Sequence, residues 1–158
     1  MADNDRFVPR VPGIRYGILD ELTGYAVRRA QIRLYEFFES ALASWSITPQ
    51  RFSAMTIVSL NPGLKLTDLA RIMGIARSGV VALVDALEAL NYMERQTVPG
   101  DARAFALVLT DKGERDLVEI TRAVQACDQE ATRMLADSDL STLRAMLLRI
   151  SDAPAPRD

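Results

Sequence analysis

The chain has 158 residues, a formal net charge of −2 and 49% hydrophobic residues. This length suits one domain with a substantial buried core, and the composition is ordinary for a globular protein. Histidine is absent, which removes the usual general base and the commonest metal ligand, so an enzyme is disfavoured and no cofactor or metal is expected. The one cysteine, Cys127, excludes an internal disulfide and fits a reducing cytoplasm. Because neither a run of 18 apolar residues nor a signal-peptide core occurs, no membrane association is expected.

The first part of the chain predicts an arm followed by a long helix. Residues 1–16 contain Pro9 and Pro12, and two interpretations remain open: an arm extended over a partner subunit, or a disordered tail. A helix is predicted from Ile18 to Ala43, with apolar residues on more than one face. Such a helix usually packs against two bodies, here its own domain and a second subunit.

Two shorter helices follow. Thr48 is predicted to cap the first of them, with Pro49 at the first helical position, where a missing amide costs nothing. The next begins at Thr67, interpreted as its N-cap, with Asp68 at the positive end of the helix dipole. Gly74 ends that helix, because glycine enters a left-handed turn cheaply.

A further helix is predicted from Ala76 to Leu90. Two helices joined by a glycine turn, the second held by its inner face, form a helix-turn-helix. The exposed N-terminal half of the second helix fits the major groove of DNA. Helical spacing assigns Val80, Leu83, Val84, Leu87 and Leu90 to the buried face, and Arg77, Ser78, Val81, Ala82 and Asp85 to the outer face.

The residues after this helix predict a β-hairpin. Strand-like runs cover residues 92–96 and 104–109, and a turn-rich loop covers residues 98–103. A hairpin directly after a recognition helix is a wing. At its tip, the carboxylate of Asp101 can orient the guanidinium of Arg103 towards a narrow minor groove, where the negative potential is strong.

Two more helices complete the chain. Thr110 is predicted to cap a long helix that carries Cys127 on an apolar stripe without basic neighbours. A core cysteine is therefore favoured over a redox sensor. A last helix carries apolar residues from Leu140 to Ile150, and residues 152–158 are expected to be a flexible tail.

An ordered set of segments resembles the MarR family of bacterial transcription regulators: LTDLARIMGIARSGVVALVDALEALNYMER, then Asp101 and Arg103, then LTDKGERDL from Leu109. The resemblance implies a mainly α fold with a small β-hairpin wing, in which a winged helix-turn-helix domain is flanked by long dimerisation helices. It also implies a C2 homodimer that reads double-stranded DNA at a palindromic operator, with recognition helices about 34 Å apart. The expected regions are an N-terminal arm (1–16), a helical dimerisation region (17–47 and 111–151), a DNA-binding region (48–110) and a flexible tail (152–158).

The recognition helix departs from the family pattern. Ala76 stands where serine usually caps the helix, and Val81 and Ala82 can touch a thymine methyl but cannot make a bidentate guanine contact. Residues 65–103 contain five basic and five acidic residues, so only a moderate salt dependence of DNA binding is expected. For Ser78, Val81 and Ala82 a plain surface role remains an alternative. The candidate DNA-binding residues are Thr67, Arg77, Ser78, Val81, Ala82, Asp101 and Arg103.

A ligand-responsive regulator requires an effector site. MarR-type proteins commonly bind small aromatic ligands between the dimerisation helices and the winged domain. Residues 24–31 are similar to those of a branch that responds to aromatic acids or their coenzyme A thioesters. The alternative is that the aromatic side chains are plain core and that Glu36 pairs with Arg33. The candidate ligand residues are Tyr25, Phe37, Trp45, Phe52 and Met55 as apolar walls, and Arg28, Arg29 and Arg33 as anchors for a carboxylate or phosphate.

The sequence thus predicts a homodimeric, ligand-responsive regulator, most simply a repressor that a small aromatic effector releases from its operator. One alternative is a dimeric protein-binding module of the same fold with weak DNA readout. It is suggested by the zero net charge of residues 65–103 and by the small side chains of Val81 and Ala82. An enzyme is the weakest alternative, since no clustered metal ligands, phosphate loop or activated nucleophile are present.

Overall fold

A computed structural model describes residues 7–98 and 101–154; the side chains of residues 98 and 101–104 fall outside that description. The architecture is the predicted one, mainly α with a small antiparallel sheet. In chain order the elements are a 3-10 helix (Gly17–Glu21), α1 (Thr23–Leu42), a second 3-10 helix (Ala43–Trp45), α2 (Pro49–Leu60), β1 (Leu64–Lys65), α3 (Leu66–Met73), α4 (Arg77–Ala89), β2 (Met93–Val98), β3 (Asp101–Leu109), α5 (Asp111–Thr132) and α6 (Asp137–Ser151).

The core lies where α2, α3, α4 and the sheet meet the end of α1 and the first half of α5. Its fully buried side chains come from every one of these elements, so the helix-turn-helix and the helices around it share one core. The largest of them are Leu42, Met55, Leu69, Leu87, Met93, Leu107 and Ile120.

Two of the predicted caps are confirmed. The Thr48 side chain accepts a hydrogen bond from the Arg51 backbone amide, with Pro49 at the start of α2. The Thr110 side chain accepts one from the Gly113 amide at the start of α5. Each cap satisfies an amide that has no partner within its helix.

The predicted cap at Thr67 is wrong. Helix α3 begins at Leu66, its N-cap residue is Lys65, and no side chain caps it. The reason is long-range: Leu64 pairs with Leu107 and Lys65 with Ala106 of β3, so the chain leaves a strand and enters the helix directly. Thr67 therefore lies inside the first turn, where it is exposed.

The strands are longer than predicted, and the loop assigned to residues 98–103 is wrong. The sheet order is β1-β3-β2, and the hairpin pairs Met93 with Leu109 at its base and Val98 with Asp101 at its far end. A shift of register between Thr97 and Val98 lets the pairing continue. Irregular pairing of this kind is hard to read from sequence, since it depends on backbone geometry at one step.

The first long helix starts later than predicted. Gly17–Glu21 forms a 3-10 turn, Leu22 is extended, and α1 begins at Thr23. Helix α1 packs along α5. In contrast α6, which is described over its whole length, has no buried residue. Its apolar side chains Leu143, Met146, Leu147, Leu148 and Ile150 are exposed in the single protomer. No helix within residues 7–98 and 101–154 is long and apolar enough to span a membrane.

Candidate nucleic-acid interface

The turn between α3 and α4 is closed by backbone hydrogen bonds. Gly74 is left-handed, with φ 63°, and its amide donates to the Arg71 carbonyl at 3.2 Å. The Ile75 amide donates to the Ala70 carbonyl, also at 3.2 Å. This pair of bonds is a Schellman motif, which satisfies the last carbonyls of α3 and fixes the direction in which the chain enters α4. The predicted stop at Gly74 is confirmed.

Helix α4 shows the predicted division into two faces. Val80, Leu83, Val84 and Leu87 are buried in the core. The whole set assigned to the outer face is exposed: Arg77, Ser78, Val81, Ala82 and Asp85. Ala76 precedes the helix in an extended conformation and offers no side-chain cap, as its residue type predicts. The first two turns of α4 are therefore an accessible helical surface with Arg77 and Ser78 at its start.

An ion-pair cluster ties the wing to this helix. The Arg95 guanidinium on β2 bonds the Asp85 carboxylate at 2.6 Å and also bonds the Glu88 carboxylate. The Arg95 backbone amide donates to the second Glu88 oxygen at 3.0 Å. One arginine thus bridges two carboxylates on α4, so the base of the wing and the recognition helix are held as one unit.

The same cluster fixes where the charges of segment 65–103 lie. It contains one positive and two negative side chains, so it contributes a net charge of −1 beside the base of the wing. The other charged residues of the segment are four basic and three acidic ones, a net charge of +1, so the total stays at zero. This balance agrees with a moderate electrostatic contribution to DNA binding.

Among the other candidate DNA-binding residues, Thr67 is exposed on α3, the helix that precedes the reader. The backbone of Asp101 and Arg103 lies in β3 of the wing, but their side chains fall outside the described residues. The pairing of the two side chains predicted at the wing tip stays a prediction.

One part of this surface was not found from the sequence. A groove of about 380 Å³ runs between the start of α2 and the outer side of α4, lined in part by Gln50, Arg51, Gly79 and Ala82. Arg51 is held there by a hydrogen bond from its Nη1 to the Ser46 carbonyl at 2.9 Å. The signal was available, since Thr48-Pro49 marks a helix N-terminus, and such ends favour phosphate.

The eight candidate ligand residues lie in different surroundings of the protomer, and their common role stays a prediction. Met55 is fully buried, and Trp45 and Phe52 pack against the core. Phe37 is half-buried and Arg28 is exposed on α1. Tyr25, Arg29 and Arg33 lie together on another part of α1, where Arg33 pairs with Glu36 at 2.6 Å, the alternative that the sequence had left open.

A cleft of about 500 Å³ opens between α1, α2 and α3 instead. Its lining is largely apolar and includes Leu34, Tyr35 and Phe38 of α1, Ile57 of α2 and Ile72 of α3. None of the eight predicted residues lines it. The cleft joins a flanking helix to the first helix of the helix-turn-helix, and its size and apolar lining suit a small aromatic molecule.

Two further features concern chemistry. Cys127 is buried, and burial raises the pKa of its thiol, with a further rise from the negative charge of Asp128. A neutral buried thiol is inert, as the prediction of a core cysteine requires. Within the part of the chain that the structure describes, no three His, Cys, Asp or Glu side chains come together as metal ligands.

The known proteins that this chain is similar to are transcription regulators. The sequence profile of the MarR family matches residues 45–104. A Thauera aromatica protein assigned to transcriptional regulation of the hcr operon is 32% identical over 137 residues, which cover 84% of this chain and 82% of that protein. The transcriptional repressor CouR bound to a 23-mer DNA duplex is 36% identical with a TM-score of 0.83, covering 87% of this chain and 98% of CouR. CouR bound to p-coumaroyl-CoA is 34% identical with a TM-score of 0.82, covering 89% and 99%.

Proposed function

The chain belongs to the MarR family of transcription regulators, and from this premise we propose that it is a homodimeric repressor that a small aromatic ligand releases from a palindromic operator. DNA binding is supported most directly by the exposed first turns of α4, which the ion pairs of Arg95 connect to the wing. A relative, CouR, has been seen on a DNA duplex. The proposed contacts are made by Thr67, Arg77, Ser78, Val81, Ala82, Asp101 and Arg103.

The contacts divide by chemistry. Arg77 and Ser78, at the start of α4, carry the polar groups that read base edges in the major groove. Val81 and Ala82 meet thymine methyls. Arg51 and the capped start of α2 hold a phosphate beside them, which fixes the register of α4 without reading sequence.

The homodimer is supported by surfaces that one protomer leaves uncovered. Helix α6 exposes a row of large apolar side chains, and the turn before α1 exposes Ile18, Leu19 and Leu22. Monomeric proteins rarely expose apolar surface of this extent. We assign residues 17–47 and 111–151 to dimerisation and residues 48–110 to DNA binding, so that a twofold axis places two copies of α4 on successive turns of DNA.

The effector half is supported by the cleft between α1, α2 and α3. A ligand there touches Tyr35 and Phe38 on a flanking helix and Ile72 on the helix-turn-helix at once. It can therefore favour one orientation of the reader relative to the dimer. CouR has been seen with p-coumaroyl-CoA, which supports an aromatic acid or its coenzyme A thioester as the effector class.

Release requires only that the ligand binds the DNA-incompetent arrangement better than the DNA-bound one. A tenfold loss of DNA affinity corresponds to a coupling free energy of about 1.4 kcal/mol. Rotation of α3 against α1 by an aromatic ring between them is sufficient for this, because a small change of angle alters the spacing of the two recognition helices in the dimer.

The proposed function is tested by displacement. A fluorescent DNA fragment from upstream of the gene is bound to the protein, and p-coumaroyl-CoA, p-coumarate or coenzyme A is titrated while anisotropy is recorded. We expect the thioester or the acid to lower the anisotropy and coenzyme A alone to leave it unchanged.

The matched variant is Ser53→Trp, which fills the cleft from an exposed position on α2. We expect it to bind the fragment as the wild type does and to resist release. A wild-type complex that none of the three compounds dissociates contradicts the effector class. A variant released as readily as the wild type contradicts the placement of the effector in the cleft.

A further inference from the structure

The segment before α1, residues Phe7–Tyr16, folds back onto α1 of its own chain; we name it the latch. Phe7 is held through both of its backbone groups. Its amide donates to Glu36 Oε1 at 3.1 Å, and its carbonyl accepts from Arg33 Nη2 at 3.0 Å. This contact with α1 differs from the disordered tail that the sequence left open for residues 7–16, and an arm that reaches a partner subunit stays a prediction.

The latch covers a pair of arginines. The guanidinium of Arg29 lies against the rings of Phe7, Tyr16 and Tyr25, at 5.2, 5.3 and 5.2 Å from their centroids. The Phe7 ring also lies 5.5 Å from the guanidinium of Arg33. Since Arg29 and Arg33 are four residues apart on one helix, their charges share one face of α1.

Arg29 keeps one donor unused. Its Nη1 donates to the Tyr25 hydroxyl at 2.8 Å, whereas its Nη2 is buried and has no hydrogen-bond partner among the described residues. A buried donor without an acceptor is unfavourable, and more so when it carries charge. With the latch closed, the positively charged guanidinium of Arg29 therefore has a buried N–H donor without an acceptor among the described residues.

The two hydrogen bonds of Phe7 are part-buried, but the other contacts that close the latch reach solvent. Arg10 pairs with Asp20 at 2.8 Å, but its side chain is 70% exposed. The Val11 amide donates to the Tyr16 hydroxyl at 3.1 Å. Exposed ion pairs contribute little stability, so the latch can open without unfolding the domain.

We propose that the latch is a displaceable cover over an anion site formed by Arg29 and Arg33, and that a phosphate-bearing ligand opens it. The anion takes the place of the Phe7 carbonyl on Arg33 and accepts the hydrogen bond that Arg29 Nη2 leaves unused. Bidentate recognition of phosphate by guanidinium groups is strong enough to replace one neutral carbonyl contact.

The latch then sets the apparent affinity for the anion. If it is closed nine-tenths of the time, anion binding is weakened about tenfold relative to a chain in which it stays open. A role of the latch in regulation rests on the proposed function. The latch and the anion site under it do not depend on DNA binding.

The experiment uses the full chain and sodium pyrophosphate, with sodium sulfate at equal ionic strength as the control. Hydrogen exchange of the Phe7 and Val11 amides is followed by NMR, and pyrophosphate binding is measured by calorimetry. Both amides are expected to be protected in the free protein and to exchange at least about tenfold faster at saturating pyrophosphate, with sulfate having no such effect.

Two variants and one control distinguish the cover from the anion site. Phe7→Ala is expected to tighten pyrophosphate binding at least about fivefold, whereas Val8→Ala, at an exposed neighbouring position, leaves it unchanged. Arg29→Gln is expected to abolish binding. The proposal is overturned by unprotected amides in the free protein, by no binding of pyrophosphate, by binding that leaves the amides protected, or by an equal effect of sulfate. None of these readouts involves DNA, so failure here and failure of the proposed function are distinguishable.

Discussion

Arg77 is the residue that the proposed function makes most important for base recognition. It is exposed at the first position of α4, and its neighbours on the outer face, Val81 and Ala82, have no polar groups to share its role. A polar contact to a base edge contributes about 1 to 3 kcal/mol of discrimination. We expect Arg77→Ala to weaken operator binding about tenfold or more, measured by fluorescence anisotropy.

The matched control is Arg122→Ala. Arg122 is an exposed arginine on α5, paired with Glu119 at 2.5 Å, and lies outside the proposed DNA-binding region. It removes the same charge without removing the proposed contact. Equal loss of affinity in both variants would show that Arg77 acts only through net charge, and no loss in either would contradict its role as a reader.

Among the glycines that the structure describes, Gly113 has the least space for a side chain. A methyl group added there overlaps the backbone carbonyl of Tyr92, which is itself held by the Thr110 amide at 3.1 Å. Replacing a helical glycine by alanine normally stabilises a protein by about 0.5 to 1 kcal/mol. Overpacking against fixed backbone costs about 1 to 3 kcal/mol and outweighs that gain.

We therefore expect Gly113→Ala to lower the free energy of unfolding by at least about 1 kcal/mol in urea titration. Gly79→Ala is the control, since its added methyl meets only the Ile75 side chain, at 3.8 Å. That variant is expected to be stabilised by about 0.5 to 1 kcal/mol. Stabilisation of both variants would contradict the contact between α5 and Tyr92.

At the scale of elements, the ion-pair cluster makes α4 and the wing one unit. Arg95 is about four-fifths buried and bridges Asp85 and Glu88, so its interaction is less screened than that of a surface pair. We expect a double-mutant cycle of Arg95→Met and Glu88→Gln to give a coupling free energy of about 1 kcal/mol, measured by urea unfolding.

The exposed pair Arg122–Glu119 provides the comparison. Both of its side chains are more than half exposed, so its coupling should fall within about 0.5 kcal/mol of zero. A cycle at Arg95 no larger than that of the exposed pair would mean that the wing is held by backbone pairing alone.

Helix ends that depend on neighbouring residues were predictable from the sequence, whereas those that depend on distant strands were not. Gly74, Thr48 and Thr110 were predicted correctly because turn glycines and caps act through neighbouring residues. The cap at Thr67 was wrong because Leu64 and Lys65 pair with a strand more than 40 residues away. Local propensity cannot show a partner at that distance in the chain.

The same limit applies to the sites. The face of α4 was predictable, since helical spacing alone sorts its residues into buried and exposed sets. The cleft was not, because it forms where α1, α2 and α3 converge, and its lining residues follow no sequence motif. Arg29 and Arg33 were recognised as a pair, but the latch over them depends on Phe7, far away on the arm.

Two copies of α4 can contact successive turns of DNA only if the protein is a dimer. Two chains of 17.5 kDa give a particle of about 35 kDa, which size-exclusion chromatography with light scattering can distinguish from a monomer. We expect the double variant Leu143→Asp, Leu147→Asp on α6 to shift the particle towards the monomer, because charges on an apolar interface oppose its burial.

Leu60→Asp, at the exposed end of α2 and outside the residues assigned to dimerisation, serves as a comparison for the effect of a charge on apolar surface. Circular dichroism of each variant reports whether its helices remain folded. A folded double variant that is still a dimer would contradict the role of α6, and a wild-type monomer would contradict the twofold arrangement of the readers.

The central claim is that this chain recognises a DNA sequence. The most direct measurement is the affinity of the wild-type protein for the DNA upstream of its own gene against a scrambled fragment of equal length, by fluorescence anisotropy at physiological salt. The account predicts binding to the upstream fragment at least about a thousandfold tighter than to the scrambled one. Equal and weak binding to both would contradict it and would favour a dimeric protein-binding module built on the same fold.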